Sequence, residues 1–357
     1  QMVEIARAVH HNARVIIFDE PTATLTKEEK HHFFGLVERL KRDGVTIVFI
    51  SHALEEALAI SDRITVLRDG EIVDSDTAEN FNREKIVKAM IGRDLSDSAY
   101  SEGSKRKKLT RSAGKKSLEV ENISMGSLVR NSTFSVFSGQ VTGVFGLVGS
   151  GRTEMMKIIA GIIKRDIFHG GNIQLDGRYI RYRVPRTAVN DGIIYVTEDR
   201  KSEGYFENMS IQQNINVGDL VANARLTKVV NFAHASALAS HWTEKLNIKA
   251  TGISAAVVEL SGGNQQKVVI AKALTQRPKV VIFDEPTRGV DVGAISEIHN
   301  FIESLADDGI TVIVVSSYLP EIMSLADRVL VSRQGQIVEE FEAIDATEEK
   351  IIFAAVH

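Results

Sequence analysis

The sequence predicts an α/β fold with a parallel-sheet core and helices packed on the sheet. Three observations carry this. Apolar, β-rich runs alternate with helix-period segments, the runs are continuous rather than alternating in polarity, and the whole pattern occurs twice in the same order. Strand–helix alternation places strands side by side in parallel. Strands covered on both faces need apolar residues at every position, which explains the unbroken runs.

The elements follow in order. Strands are predicted at Arg14–Phe18 and Val45–Ile50, with a helix at Lys27–Arg42 between them. The same series returns as Val280–Phe283, Ala294–Asp308 and Thr311–Val315. Within it, VIIFDE at Val15–Glu20 recurs as VVIFDE at Val280–Glu285, an offset of 265 residues between Asp19 and Asp284. The register holds without a gap, pairing Ile50 to Leu54 with Val315 to Leu319, Asp62-Arg63 with Asp327-Arg328, and Gly70 with Gly335. Backwards, Glu4–Val9 matches Val269–Leu274 and Gln1 falls on Gln266. The second copy has a long stretch upstream of that point, from Ser117, with no counterpart in the first. Residues 1–9 read as a helix without a start signal. The expectation is a truncated protein of about 500 residues, preferred to a naturally half-deleted repeat. The predicted domains are 1–95, the C-terminal part of a first copy; 96–116, a linker; and 117–357, a complete second copy.

The linker DSAYSEGSKRKKLTRSAGKK at 97–116 is small and basic. Its cluster Lys105 to Lys108 resembles a nucleic-acid arm, but a solvated linker is the better reading in a chain of net charge −4. That charge offers no electrostatic ground for a nucleic-acid partner. The chain contains no cysteine, which excludes disulfides and cysteine-ligated zinc. No apolar run approaches the ~18–20 residues that span a bilayer, and no signal-peptide pattern is present. Work at a membrane is therefore expected to depend on docking to another component.

Three motifs carry chemistry. Gly146 to Thr153, GLVGSGRT, fits G-x-x-x-x-G-K-[ST] except that Arg152 replaces lysine. It follows the strand-like Val141–Phe145 and opens a helix at Glu154–Ala160, the context this phosphate loop requires. Gly146, Gly149, Ser150 and Gly151 allow the backbone to wrap an anion, with N–H groups facing phosphate oxygens. Arg152 keeps the charge on a planar group, and Thr153 is placed to hold Mg²⁺. Asp284 and Glu285 end a strand, so the first reaches Mg²⁺ and the second polarises an attacking water. Leu260 to Gln266, LSGGNQQ, sets Ser261, Gly262 and Gly263 at a helix start, a second anion site.

In this order the motifs resemble the ABC ATPase superfamily, a P-loop NTPase cassette with a parallel-sheet core plus antiparallel β and helical subdomains. The chain would then hold one partial and one complete copy. GLVGSGRTE at Gly146–Glu154, YVTEDRKSEG at Tyr195–Gly204, LSGGNQQK at Leu260–Lys267, DEPTRGVDVGA at Asp284–Ala294 and MIGR at Met90–Arg93 are similar to the two-cassette ATP-binding subunits of bacterial ribose, galactose and xylose importers. The resemblance implies ATP and Mg²⁺ as ligands. It also implies integral-membrane permease subunits as partners, a periplasmic solute-binding protein acting indirectly, pairing of cassettes within the intact chain, and a peripheral position on the cytoplasmic face of the inner membrane. Carried over by residue, Asp19 and Asp284 are the magnesium-side aspartates and Glu20 and Glu285 the catalytic glutamates. His52 is the switch histidine, and Glu198 stands where a glutamine links nucleotide to the membrane subunit.

The departures gather in the second copy: Arg152 for lysine, Glu198 for glutamine and Ser317 for histidine, while the first copy has Thr26 against Asp291. Around Ile123–Val129 no aromatic stands ready to stack on adenine. The second pocket is expected to bind ATP and hydrolyse it poorly. His31, His32 and the remaining histidines other than His52 read as surface or core packing residues, and Trp242, Tyr195 and Tyr205 as packing residues. The competing function is a soluble two-cassette translation factor on ribosomes, which usually has a longer charged helical linker and two intact pockets; DNA-repair cassettes rank third.

Overall fold

In the second half of the chain the apolar runs become the interior strands of one sheet. The computed structural model describes residues 7, 13–19, 21–22, 27–51, 54–68, 71–82, 85–86, 89, 111–223 and 231–357. Two units divide the chain, Gln1–Ser101 with Asp291–Gly293, and Glu102–Val290 with Ala294–His357.

In the first unit β1 (Val15–Asp19) pairs in parallel with β2 (Thr46–Ile50), and helix α1 (Lys27–Arg42) connects them. Helix α2 (Leu54–Ile60) and the antiparallel pair β3 (Arg63–Arg68) and β4 (Glu71–Thr77) follow. Ile16 and Phe18 pack with Phe33, Val37 and Leu40 of α1. The opposite face of the same strands is bare, with Val15 57%, Ile17 65%, Val48 45% and Ile50 48% exposed.

The second unit opens with β5 (Lys116–Met125), β6 (Val129–Phe137) and β7 (Val141–Gly146). After α3 (Arg152–Ile159) come β8 (Asn172–Leu175), β9 (Arg178–Ile180), α4 (Pro185–Asp191) and β10 (Ile193–Val196). Helices α5 (Ile211–Asn223), α6 (Phe232–Lys245) and α7 (Gly262–Leu274) precede β11 (Val280–Asp284), α8 (Val292–Asp307), β12 (Thr311–Ser316) and α9 (Leu319–Leu325). The unit closes with β13 (Arg328–Arg333), β14 (Gln336–Glu342) and α10 (Glu348–Val356).

Six strands form the main sheet in the order β10-β11-β12-β7-β13-β14, parallel except for β14. A separate antiparallel sheet runs β6-β5-β8-β9. Because side chains alternate along a strand, Val281, Phe283, Val312 and Val314 enter one core with helices α5, α7 and α8. Val280, Ile282, Ile313 and Val315 enter a second core with α3 and the antiparallel sheet. Both faces are covered, so every residue of β11 is buried.

The 265-residue offset recurs in the backbone. Val15 pairs with Thr46 as Val280 pairs with Thr311. The β3–β4 ladder shifts register between Val66 and Leu67, and the β13–β14 ladder shifts between Val331 and Ser332. Met90–Arg93, Thr26, Gly70, Lys105–Lys108 and all of the Glu4–Val9 match except Arg7 lie outside the described residues.

Candidate functional site

The phosphate loop sits where the sequence places it, between β7, which ends at Gly146, and α3, which starts at Arg152. Gly149 and Gly151 take φ of 82° and 84°, a left-handed conformation that a side chain disfavours. A Cβ on Gly151 would also lie 2.4 Å from the Leu128 carbonyl oxygen, so glycine is required there twice over. No side chain caps α3, so its first-turn N–H groups are left to an anion. Beside them the buried Ser150 hydroxyl has no hydrogen-bond partner. The Ser150 carbonyl accepts from the Ser332 hydroxyl at 2.9 Å and from the Gly335 N–H at 2.8 Å, which pins the loop to β13 and the turn after it.

Arg152 turns inward. Its Nη1 donates to the carbonyls of Gly146 at 2.7 Å and Leu147 at 2.8 Å, and its Nη2 donates to Glu285 Oε1 at 2.8 Å. Both partners of this ion pair are buried. Glu285 Oε1 also accepts from the Ser317 N–H at 2.8 Å, and Oε2 from the Ser316 hydroxyl at 3.3 Å. Three donors therefore surround one carboxylate, on a residue whose φ of 46° is itself strained. Breaking a buried pair strands the remaining charge. Arg152→Met is expected to lower unfolding free energy by about 3 kcal/mol, the low end of the usual range because Ser316 and Ser317 remain. The double variant Arg152→Met/Glu285→Gln is expected to recover most of that loss. Denaturant unfolding of both variants checks it, and equal losses would exclude an uncompensated Glu285 charge as the cause.

Asp284 is fully buried at the end of β11. Its Oδ1 accepts from the Thr153 hydroxyl at 3.2 Å and its Oδ2 from the Tyr195 hydroxyl. Burial pushes the Asp284 carboxyl up, and the two hydroxyl donors act against that shift. Burial, reinforced by the neighbouring carboxylate, raises the Tyr195 phenol strongly, so Tyr195 is a permanent donor. Reading Tyr195 as a packing residue was therefore incomplete. Its ring packs on the core below the loop while its hydroxyl completes the Asp284 site. Its position one residue before the end of a strand beside the DE strand was the available signal.

The LSGG string behaves as its sequence requires. Ser261 is the N-cap of α7, and Gly262 begins the helix. Asn264 donates to the Ser261 hydroxyl oxygen at 3.0 Å and accepts from the Lys249 N–H at 2.9 Å. Glu198 belongs to a different group, since its carboxylate is ion-paired with Arg288. Nearby, Arg200 donates to the carbonyls of Arg288 at 2.7 Å and Gly289 at 2.8 Å. The structure thus gathers Ser150, Arg152, Thr153, Asp284 and Glu285 in one place. It sets Glu198 against the segment after Glu285.

Asp19 occupies the Asp284 position of β1, opposite Ile50, and is exposed. Glu20 and His52 lie outside the described residues. Trp242 and Tyr205 pack in the helical core, and His31 and His32 are exposed. Among the described residues no helix is long and apolar enough to cross a membrane.

A protein-family model described as ABC transporter matches residues 129–288. A ribose import ATP-binding protein from Rhizobium etli is 42% identical over 352 residues, 99% of this chain and 68% of its own length. A xylose import ATP-binding protein from Thermoanaerobacter pseudethanolicus is 40% identical over 362 residues, 99% of this chain and 70% of its own. The crystal structure of a nucleotide-free ATP-binding cassette from an ABC transporter shares the fold, with a TM-score of 0.58 at 24% identity over 68% of this chain and 100% of that one. None of these three is a ribosomal factor, which removes the support for that alternative. On the phosphate loop, the DE strand, the LSGG helix and these relatives together, the chain belongs to the family of ABC transporter ATP-binding proteins, which are ATPases.

Proposed function

We propose that, as part of an intact importer, this chain serves ATP hydrolysis that drives import of a pentose such as ribose or xylose through a membrane permease. The observation that carries the ATPase reading is the Thr153 hydroxyl on the buried Asp284 carboxylate beneath an uncapped helix start. A buried carboxylate bonded by neutral hydroxyls, next to a threonine hydroxyl, is a hard oxygen-donor set of the kind Mg²⁺ takes. Thr153 and Asp284 are the residues that would hold it, and its chemistry there is to neutralise phosphate charge. The loop backbone and Ser150 bind phosphate oxygens, and Arg152 holds the loop carbonyls. Ser261, Gly262 and Gly263 offer a second set of donors. The pentose comes from the relatives alone, since no residue of this chain meets the cargo. A permease partner, an indirect periplasmic binding protein and a peripheral position on the cytoplasmic membrane face belong to the same reading. Uptake of labelled ribose and xylose by a strain lacking this protein tests it; normal uptake of both would refute it.

The first unit is read as part of a further cassette. Matching strand registers and a matching ladder shift support this, as does the bare face of β1 and β2. The corresponding face of β11 and β12 is covered by an antiparallel sheet and α3. The relatives are also longer than this chain, which spans 68% of the Rhizobium protein. Residues 1–95 contain neither a phosphate loop nor an LSGG string. Purified 357-residue chain is accordingly expected to bind nucleotide weakly and to show little steady-state ATPase activity. Turnover equal to that of an intact importer subunit would overturn this reading.

A further inference from the structure

The same side-chain bond appears in both units just past each glutamate assigned to catalysis. In the second unit the Thr287 hydroxyl donates to Glu321 Oε1 at 2.7 Å. In the first the Thr22 hydroxyl donates to Glu56 Oε2 at 2.5 Å. Thr287 follows Glu285 by two residues as Thr22 follows Glu20, and Glu321 and Glu56 lie on α9 and α2, beyond the switch positions Ser317 and His52. Both threonines are buried or partly buried, and Glu321 is 1% exposed.

Each glutamate is also held from the long helix, by different means. Lys30 of α1 donates to Glu56 Oε1 at 2.7 Å. On α8, His299 Nε2 lies 3.2 Å from Glu321 Oε1. In the common register Lys30 matches Ile295 and His299 matches Phe34, so the partner has shifted by one helical turn while Thr and Glu keep their places. Burying a carboxylate is costly, and an apolar replacement would serve packing as well. Two units that keep the carboxylate and its threonine while changing the third partner point to the bond itself. In the second unit it runs parallel to the bond from the Ser317 N–H to Glu285, so the two segments are joined at two points around the strained Glu285 backbone.

We propose that Glu56 and Glu321 are positioning residues. Each ties the segment after the water-polarising glutamate to the switch segment, and so sets that glutamate's orientation. This rests on the assignment of Glu20 as the working base. The expected effect falls on the chemical step, because small displacements of a catalytic group cost rate more than binding.

The test uses the intact importer ATPase assembled with its permease. Thr22→Val, which keeps shape and loses the donor, is expected to lower kcat about 10- to 100-fold with the KM for ATP changed by less than about twofold. Thr22→Ser, which restores the donor, is expected to return kcat to within about threefold of the parent. Glu56→Leu, which removes the acceptor for Thr22 at similar volume, is expected to lower kcat at unchanged KM if Thr22→Val fails to fold. Parental kcat in Thr22→Val or Glu56→Leu would overturn the proposal, as would equal losses in Thr22→Ser and Thr22→Val. Glu20→Gln run in parallel separates the two readings. An active Glu20→Gln sinks the catalytic assignment, whereas an inactive one beside a normal Thr22→Val sinks only the tether.

Discussion

Gly262→Asp is expected to abolish ATP hydrolysis in the intact, permease-assembled protein, although it lies in the copy with the altered pocket. On the proposed reading, in which the first unit belongs to a further cassette that pairs head to tail with the second, the LSGG helix of the second copy would complete the phosphate site of the first. Ser261 and the N–H groups of Gly262 and Gly263 then stabilise charge on the terminal phosphate during transfer. The structure explains why glycine is needed: a Cβ at 262 would lie 2.6 Å from the Gly289 carbonyl oxygen and 2.9 Å from Arg200 Nη2. Aspartate adds negative charge where a phosphate is expected. Losing one such donor costs about 2.7–4 kcal/mol, or roughly 10²–10³ in rate. The Gly289 carbonyl must shift to admit any Cβ at 262, so some loss of thermal stability is expected beside the loss of turnover. Ser261→Arg should behave likewise, because a bulky cation blocks the same approach. The comparison is Arg152→Ala in the same background. If Gly262→Asp were nearly silent and Arg152→Ala inactive, the working site would be the other one.

Glu20→Gln is expected to stop transport, whereas Glu285→Gln should leave a substantial fraction. A general base contributes roughly 10²–10⁴-fold where it acts and nothing where it does not. The Glu285 carboxylate is taken up by Arg152, Ser316 and Ser317, which leaves it poorly disposed to accept a proton from water. Ser317 also stands where the first copy has His52. Transport measured in vesicles for the two variants decides the matter. Equal losses would mean that the second pocket does chemistry.

The sequence reached far into the fold because its strongest signals are local. Lys27–Arg42 is a helix with the bounds its periodicity predicts, and Val280–Phe283 extends by one residue to Asp284. Continuous apolar runs announce strands covered on both faces, and glycines at 149 and 151 announce a loop with positive φ. Such features follow from neighbours in the chain and need no tertiary partner to be read.

By itself, then, the amino-acid sequence determined the strand–helix order, the 265-residue repeat, the phosphate loop, the DE strand and the LSGG helix start. Tertiary structure alone decided where the charges point. Nothing local to GRT shows that Arg152 reaches back to Glu285, 133 residues away, or that the Tyr195 hydroxyl ends on Asp284. Nor does the sequence show Thr287 donating to Glu321 and Thr22 to Glu56. A side chain's partner is chosen by what burial leaves unsatisfied nearby, and that depends on which strands lie adjacent in the sheet.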